Sequence, residues 1–463
     1  MIRTARGRVF GAVCACLALA GAIQTPAQSV DALLNKLVEK GILTVQEAGE
    51  LRKETDQDFT KAYQARSGLP DWVTAFKING DFRGRFAGFY GDNPLFQDRN
   101  RWRYRARLGF TAVLLDDFEV GLRLGSGEPI KGQENLGGNP LGGSTTFNNN
   151  ASMKFIYLDL AYGKWTAIHS ADWTVAATIG KMESPFAFSY MVLDPDYTPE
   201  GGALQVSYNL TDRHALRLNS GAFMIKEFDV SSDDPYWAGV QARADSKWSR
   251  RLGTSAGISF LSISHVDRLS NDAVPNVNRG NTRVLPPGTT NIAKAVPQYA
   301  FNPIVADASL TYSLDNFPFY AGPFPIRVAG DYICNPAAPH SADNYGYSAG
   351  IVFGKSGKKN TWELSYTWRW LGANAWWEEL VDSDFGAFYP VALANSDAGE
   401  GYGSGTDIQG HIIRLAYSPG DHLTLSARLF ITDLISTRDL PPPLPTTGSR
   451  KMNRLQLDAS LKF

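Results

Sequence analysis

Between Asp98 and Ala112 arginine stands at every second position: Arg99, Arg101, Arg103, Arg105 and Arg107, with Asn100, Trp102, Tyr104, Ala106 and Leu108 in the gaps. A period of two fits an extended chain, whose successive side chains point to opposite faces. On a helix the same arginines would fall about 200° apart and form no face. The segment is therefore a strand, with guanidinium groups on one side and bulky apolar groups on the other. Taken alone, such a strand suits a soluble sandwich, a nucleic-acid groove with interleaved aromatics or a membrane barrel.

The rest of the chain selects among these. Phe76, Ile78, Phe82, Phe86 and Tyr90 alternate with Lys77, Asn79, Asp81, Arg83 and Arg85. Val120, Leu122 and Leu124 alternate with Glu119 and Arg123, and Leu204, Val206 and Tyr208 with Gln205, Ser207 and Asn209. Trp362, Leu364, Tyr366, Trp368 and Trp370 alternate with Glu363, Ser365, Thr367 and Arg369, and Leu423, Leu425, Ala427, Leu429 and Ile431 with Thr424, Ser426 and Arg428. Segments of about 10 residues, apolar on one face and often ending in aromatics, are the signature of a transmembrane barrel with a polar lumen.

The connections give an independent test. The alternation predicts sixteen strands, near 74–91, 99–115, 117–126, 152–164, 172–182, 202–210, 214–228, 236–248, 252–265, 302–314, 324–334, 345–354, 360–371, 409–418, 421–433 and 450–463. Links after even-numbered strands are mostly tight, as at Asp116-Asp117 and Pro419-Gly420; links after odd-numbered strands are mostly long, as at 127–151, 183–201, 266–301, 372–408 and 434–449. Bacterial barrels have short periplasmic turns and long external loops. That alternation predicts periplasmic termini and an all-β transmembrane antiparallel barrel over 71–463.

Two segments precede the barrel. Arg3, Arg6 and Arg8 lead into the apolar run Val9–Ile23, and Thr25-Pro26-Ala27 offers a small-residue cleavage site. This reads as a secretory signal over 1–27, too short to span a membrane as a helix. Its removal would take away Cys14 and Cys16 and leave Cys334, so no internal disulfide is expected. It would also remove three positive charges from a chain whose formal net charge is −1, and no global basic excess would remain to argue for nucleic acid. Residues 28–70 read as a periplasmic helical segment: Val30, Leu33, Leu34, Leu37 and Val38 follow the helical template, and Thr44 with Glu47 fits a capping box. It suits an interaction element or a small plug equally well.

Several stretches carry a family resemblance: DRNRWRYRARLGFTA (98–112), FEVGLRLGSGE (118–128), KFIYLDLAYGKW (154–165), IGKMESPF (179–186), DPDYTPEGGALQVSYNL (194–210), VNRGNTR (277–283), NPIVADASLTY (302–312), FGKSGKKNTWELSY (353–366) and EELVDSDFGAFY (378–389), with KGILTVQEAGELR (40–52) before the barrel. Together they resemble the putative porin family of Gram-negative outer membranes, whose architecture is similar to the sixteen-stranded general porins. The last strand, with Leu457, Ala459, Leu461 and a terminal Phe463, resembles the assembly signal of outer-membrane barrels. The resemblance implies recognition by the barrel-insertion machinery, contact with outer-membrane lipid and a homotrimer.

An arginine at the lipid midplane costs roughly 2–4 kcal/mol, so Arg101, Arg103, Arg105 and Arg107, with Arg83, Arg85 and Arg123, are expected to line a water-filled lumen as a basic wall. In general porins the third external loop folds inward and sets carboxylates opposite such arginines. The resemblance extends this to the third long link here, with Glu183, Asp194, Asp196 and Glu200 as constriction acids; a loop lying outside with solvated acids is the alternative. Asp382-Ser383-Asp384 and Asp194-Pro195-Asp196 read as solvated loop acids in preference to a calcium site. The six histidines show no metal-ligand spacing, and neither a metal, a cofactor nor a nucleophilic catalyst is expected. Three functions stay open: passive diffusion of small hydrophilic solutes, a selective channel for anions or sugars, and an envelope anchor acting through 28–70.

Overall fold

The computed structural model describes residues 69–92, 96–130, 137–276, 279–386, 403–435 and 451–463. The expected signal, almost all of the 28–70 segment and the proline-rich 441–445 stretch lie outside the described residues. One compact unit runs from Trp72 to Phe463.

Sixteen long strands form it: β1 Val73–Gly91, β2 Arg99–Leu114, β3 Phe118–Ser126, β4 Ile156–His169, β5 Trp173–Lys181, β6 Glu200–Thr211, β7 His214–Met224, β8 Tyr236–Lys247, β9 Leu252–Ile263, β10 Ile304–Leu314, β11 Phe324–Cys334, β12 Tyr345–Gly354, β13 Thr361–Leu371, β14 Ile408–Ser418, β15 Leu423–Leu434 and β16 Met452–Lys462. Each pairs antiparallel with its neighbour in sequence, and β16 returns to β1 with Leu457 opposite Phe86 and Leu461 opposite Phe82. Phe463 completes the seam by exchanging backbone hydrogen bonds with Gly80 at 3.0 and 3.1 Å. Closure gives each of the sixteen strands a laddered neighbour on both sides, which is what a sheet in hydrocarbon requires.

The strands fall where alternation predicts, with boundary shifts that have local causes. β4 starts at Ile156 and continues to His169. A bulge sets Arg123 opposite Leu160 and Leu124 opposite Leu158, so Asp159 is the extra residue. β6 begins at Glu200, and β7 ends at Met224. The tight link after β2 is possible because Asp116 and Asp117 take φ of 59° and 61°, a left-handed conformation that Asp tolerates better than most side chains.

The outer face carries Phe82, Trp102, Leu122, Ile258, Leu415 and Leu457, all exposed. Aromatic pairs mark its two margins. Phe118 stacks on Trp165 (5.7 Å) and Trp173 lies 4.4 Å from Tyr208 at the tight-turn end, while Tyr345 stacks on Trp370 (4.4 Å) at the other. An apolar band between aromatic girdles is how a barrel meets a bilayer.

The inner face differs along its length. Midway it is polar. Towards the long links it is filled by an apolar cluster in which Met182, Phe186, Met191 and Val192 pack with Phe223, Trp237, Leu261, Trp376, Trp377 and Leu380. Those residues come from strands and from two long links, so both links turn into the barrel.

Candidate functional site

The wall arginines come together through strand register. Arg83 lies opposite Arg105, and Arg85 opposite Arg103, across β1 and β2. Like charges opposite one another destabilise a strand pair, and acids from four directions relieve most of it. Asp81 on β1 receives Arg105 at 3.1 Å and Arg107 at 2.7 Å. Asp458 on β16, opposite Arg85, receives its Nε at 2.7 Å and its Nη2 at 2.8 Å. Asp159, the bulge residue of β4, receives Arg123 at 2.5 Å.

The link 182–199 supplies two more. Asp196 receives Arg105 Nη1 at 2.8 Å, and Glu183 pairs with Arg123 nearer the rim. Asp194 does not face the wall. It is buried, and its carboxyl accepts the backbone N–H of Asp196 (2.8 Å) and of Ser383 (2.7 Å). Burial, reinforced by Asp196 and Asp382, pushes its pKa well above the usual carboxylate range. Glu200 is a correction. It is the first residue of β6, has the parity of outward-facing Leu204 and Leu210, and pairs with Lys181 at 3.0 Å at an exposed site. Sheet pairing of Lys181 with Glu200 takes it out of the loop.

Asp382 and Asp384 are a second correction. They are not solvated loop acids. Asp384 lies between two inward arginines, 3.0 Å from Arg85 and 2.5 Å from Arg454. Burial would raise its pKa, but Arg454 and Arg85 outweigh burial and hold it well below the usual carboxylate range. Asp382 accepts from buried Arg369 on β13 at 3.0 Å. Arg454 also donates to the carbonyls of Ser383, Asp384 and Gly386 at 3.0–3.2 Å. A buried pair repays its desolvation only when its remaining donors and acceptors are matched, and this one approaches that condition.

Further out, Glu378 pairs with Arg283 at 2.7 Å, both fully buried, and accepts the backbone N–H of Arg279 and Asn281 at 2.9 and 3.0 Å. Asn281 Nδ2 donates to the carbonyls of Ala373 and Trp376 at 2.6 and 2.8 Å. The approach is close enough that Gly280, with φ of 122°, would bring a Cβ to 2.3 Å from the Thr406 carbonyl. The link between β9 and β10 is thereby knitted to the link between β13 and β14. Beside them, buried Glu379 has its pKa pushed up to about 8 by desolvation, with Arg279 and the Asn276 amide opposing.

Sequence reasoning placed the wall but missed Asp458, Asp159, Arg454, Arg369 and the inward second link. One signal was available. Residues 376–385 combine Trp376, Trp377, Leu380, Val381 and Phe385 with four acids, which is too apolar for a link lying in solvent.

Residues 93–284 match the family model described as putative porin, which bears out the resemblance. No curated protein matches the chain. Among solved structures, OprB of Pseudomonas putida at high pH is similar at 12% identity and a TM-score of 0.51, over 86% of this chain and 96% of that one. OmpF of Salmonella typhi, solved with daunomycin, is similar at 11% identity and a TM-score of 0.44 over 84% and 97%. The outer-membrane channel DcaP of Acinetobacter baumannii is similar at 12% identity and a TM-score of 0.41 over 84% and 97%. The likeness to OprB shows a shared barrel fold.

Proposed function

We propose that this porin conducts small hydrophilic solutes by passive diffusion through the water-filled interior of its barrel, and that its cross-section is set where the links 182–199 and 372–407 meet the arginine wall. The observation that carries the second part is the Asp196–Arg105 contact of 2.8 Å, a loop acid on an inward strand arginine. Family and fold point to a channel rather than an enzyme, sited in the outer membrane of a Gram-negative envelope. Rings of charged side chains are a common selectivity device, and here acids and arginines face each other across a short gap, so a transverse field is expected in place of a strong net preference.

The termini facing the periplasm, the homotrimer and delivery by the barrel-insertion machinery belong to the same proposal. The pattern of tight and long links supports the first. The outward Leu457, Leu461 and Phe463 at the closing seam support the last. Single-channel conductance and the reversal potential in a salt gradient test the channel reading. A purified barrel that conducts nothing in a bilayer would overturn it. A monomeric mass in mild detergent would overturn the trimer.

A further inference from the structure

Of the links at the tight-turn end, the longest runs from Asp315 to Pro323, between β10 and β11. It folds back against the outer face of the barrel. Phe324 has the parity of outward Val328, and Trp362 that of outward Leu364, yet Phe324 is fully buried. The turn covers it. Phe317 stacks on Phe324 at 4.0 Å, Tyr320 meets it edge-on at 5.0 Å, and Trp362 closes the cluster at 5.0 Å from Phe324 and 5.8 Å from Phe317. Hydrogen bonds pin the same turn to the neighbouring link of β12 and β13. The Tyr320 hydroxyl donates to the Lys355 carbonyl at 3.0 Å and accepts the Lys355 N–H at 3.2 Å, and the Ala321 N–H donates to the Asn360 carbonyl at 3.1 Å.

What this scaffold presents is Phe319, 96% exposed with φ of 58°. A single exposed apolar side chain is ordinary. A bulky residue held in the left-handed region is not, and strain of that kind persists where the surrounding structure imposes it and function uses it. The charge around it is one-sided. The link before β9 carries Arg250 and Arg251, and the link before β13 carries Lys355, Lys358 and Lys359, all exposed. Asp315 pairs with Arg251; among the described residues no carboxylate forms an ion pair with Arg250 or the three lysines. Across the barrel, the tight links after β2 and β4 carry Asp116, Asp117 and Asp172 instead.

This surface is continuous with the one that meets the bilayer: exposed Tyr312 and Phe317, with Trp362, extend the aromatic girdle of Phe118, Trp165 and Trp173 around the tight-turn end. We propose that the 315–323 turn is an anchor for anionic phospholipid of the leaflet adjoining that end. Phe319 enters the interfacial layer, where aromatic side chains are accommodated at headgroup level. Arg250, Lys355, Lys358 and Lys359 receive the headgroup phosphates, as basic clusters beside a bilayer attract anionic lipid. The proposal rests on the barrel lying in a bilayer and not on what the barrel conducts.

The full chain reconstituted in phosphatidylcholine vesicles, with a trace of spin-labelled phosphatidylglycerol or spin-labelled phosphatidylcholine, tests this. Electron spin resonance reads how strongly each label is held at the barrel surface. Phosphatidylglycerol should be held several-fold more tightly, and the difference should fade as salt rises. K358Q/K359Q should at least halve that preference. K77Q/K164Q, which removes two cations from the inner parity of β1 and β4, should leave it unchanged. F319G suits the left-handed backbone, so the thermal midpoint in detergent should not fall, yet the hold on phosphatidylglycerol should drop about twofold, which a merely structural Phe319 would not produce. Equal hold on the two labels, or a preference undiminished in K358Q/K359Q or in F319G, overturns the anchor and leaves this surface to a protein partner. A chain that does not enter the vesicles overturns the membrane reading itself; entry without preference overturns the anchor alone.

Discussion

The link between β5 and β6 and the link between β13 and β14 both turn into the barrel, but different forces hold them. The first is seated chiefly by apolar packing of Met182, Phe186, Met191 and Val192 around Trp237 and Phe223, with Asp196 on Arg105 and Glu183 on Arg123 as its contacts at the wall. The second joins the same cluster through Trp376, Trp377 and Leu380, then adds three acids lodged on arginines: Glu378 on Arg283, Asp382 on Arg369, and Asp384 on Arg85 and Arg454. Apolar docking weakens in proportion to the area lost. A buried ion pair broken on one side leaves a bare charge, which is far costlier. The wall arginines are thus divided between lining the lumen and anchoring a loop, and Arg85 belongs mainly to the second group.

The largest effects should come from the charged anchors. Glu378→Gln takes a carboxylate away from buried Arg283, and Asp384→Asn takes one away from buried Arg454; each should cost about 3–5 kcal/mol. Limited proteolysis of the 372–407 link should accelerate strongly in either variant, with larger current fluctuations. Removing the arginine as well, as in Arg283→Met with Glu378→Gln, whose amide oxygen can still accept the backbone N–H groups of Arg279 and Asn281, should recover most of the loss. Equal fragility of single and double variants would show that the pair is not what seats this link.

Asp196→Asn is the matching test of the first link. Arg105 keeps Asp81, so the loss should be about 1 kcal/mol, and the packing of Met191 and Val192 should hold the loop in place. The reversal potential should move towards anions at low salt. A proteolysis rate as high as that of Asp384→Asn would break the contrast between the two links.

The pH response sharpens it further. Glu379 binds a proton more tightly folded than unfolded, with a pKa pushed up to about 8 from an ordinary 4.5. Its docking is therefore least costly in mild acid and weakens as pH rises through that window. Buried Asp194 acts in the same direction. Asp384 has the opposite sign: its contribution is present above the ordinary carboxylate range and is lost only as pH falls through its depressed value. Protection of the links from protease should decline between pH 5 and pH 8, and Glu379→Gln should flatten that decline. A profile rising over this range in the unaltered protein would contradict it.

Glu200→Gln should do least. The Lys181–Glu200 pair is exposed on the outer parity of β5 and β6, and such pairs contribute about 0–1 kcal/mol. The reversal potential should not change. A shift as large as that of Asp196→Asn would return Glu200 to the constriction.

Much of the fold was legible because a strand's side chains alternate faces whatever surrounds them. Trp102 and Arg103 had to face opposite ways, and lipid tolerates only one of them. The same rule, with the tight and long links, gave sixteen strands and the closing β16. It failed where the period itself breaks: at Asp159, where a bulge adds a residue, and at Glu200, where parity depends on where the strand begins. The wall was also legible, since Arg83, Arg85 and Arg101 to Arg107 lie on strands adjacent in sequence.

What lies opposite the wall was decided only by closure. Asp458 reaches Arg85 across a seam joining the two ends of the barrel, and Asp384 reaches it from a link nearly three hundred residues on. Alternation reports which way a side chain points, and it carries no information about what the far side of a closed sheet brings to meet it. Sequence by itself determined that arginines would stand in the lumen. Tertiary structure decided which of them are neutralised, because a carboxylate acts only over the few ångströms that folding places between it and a guanidinium.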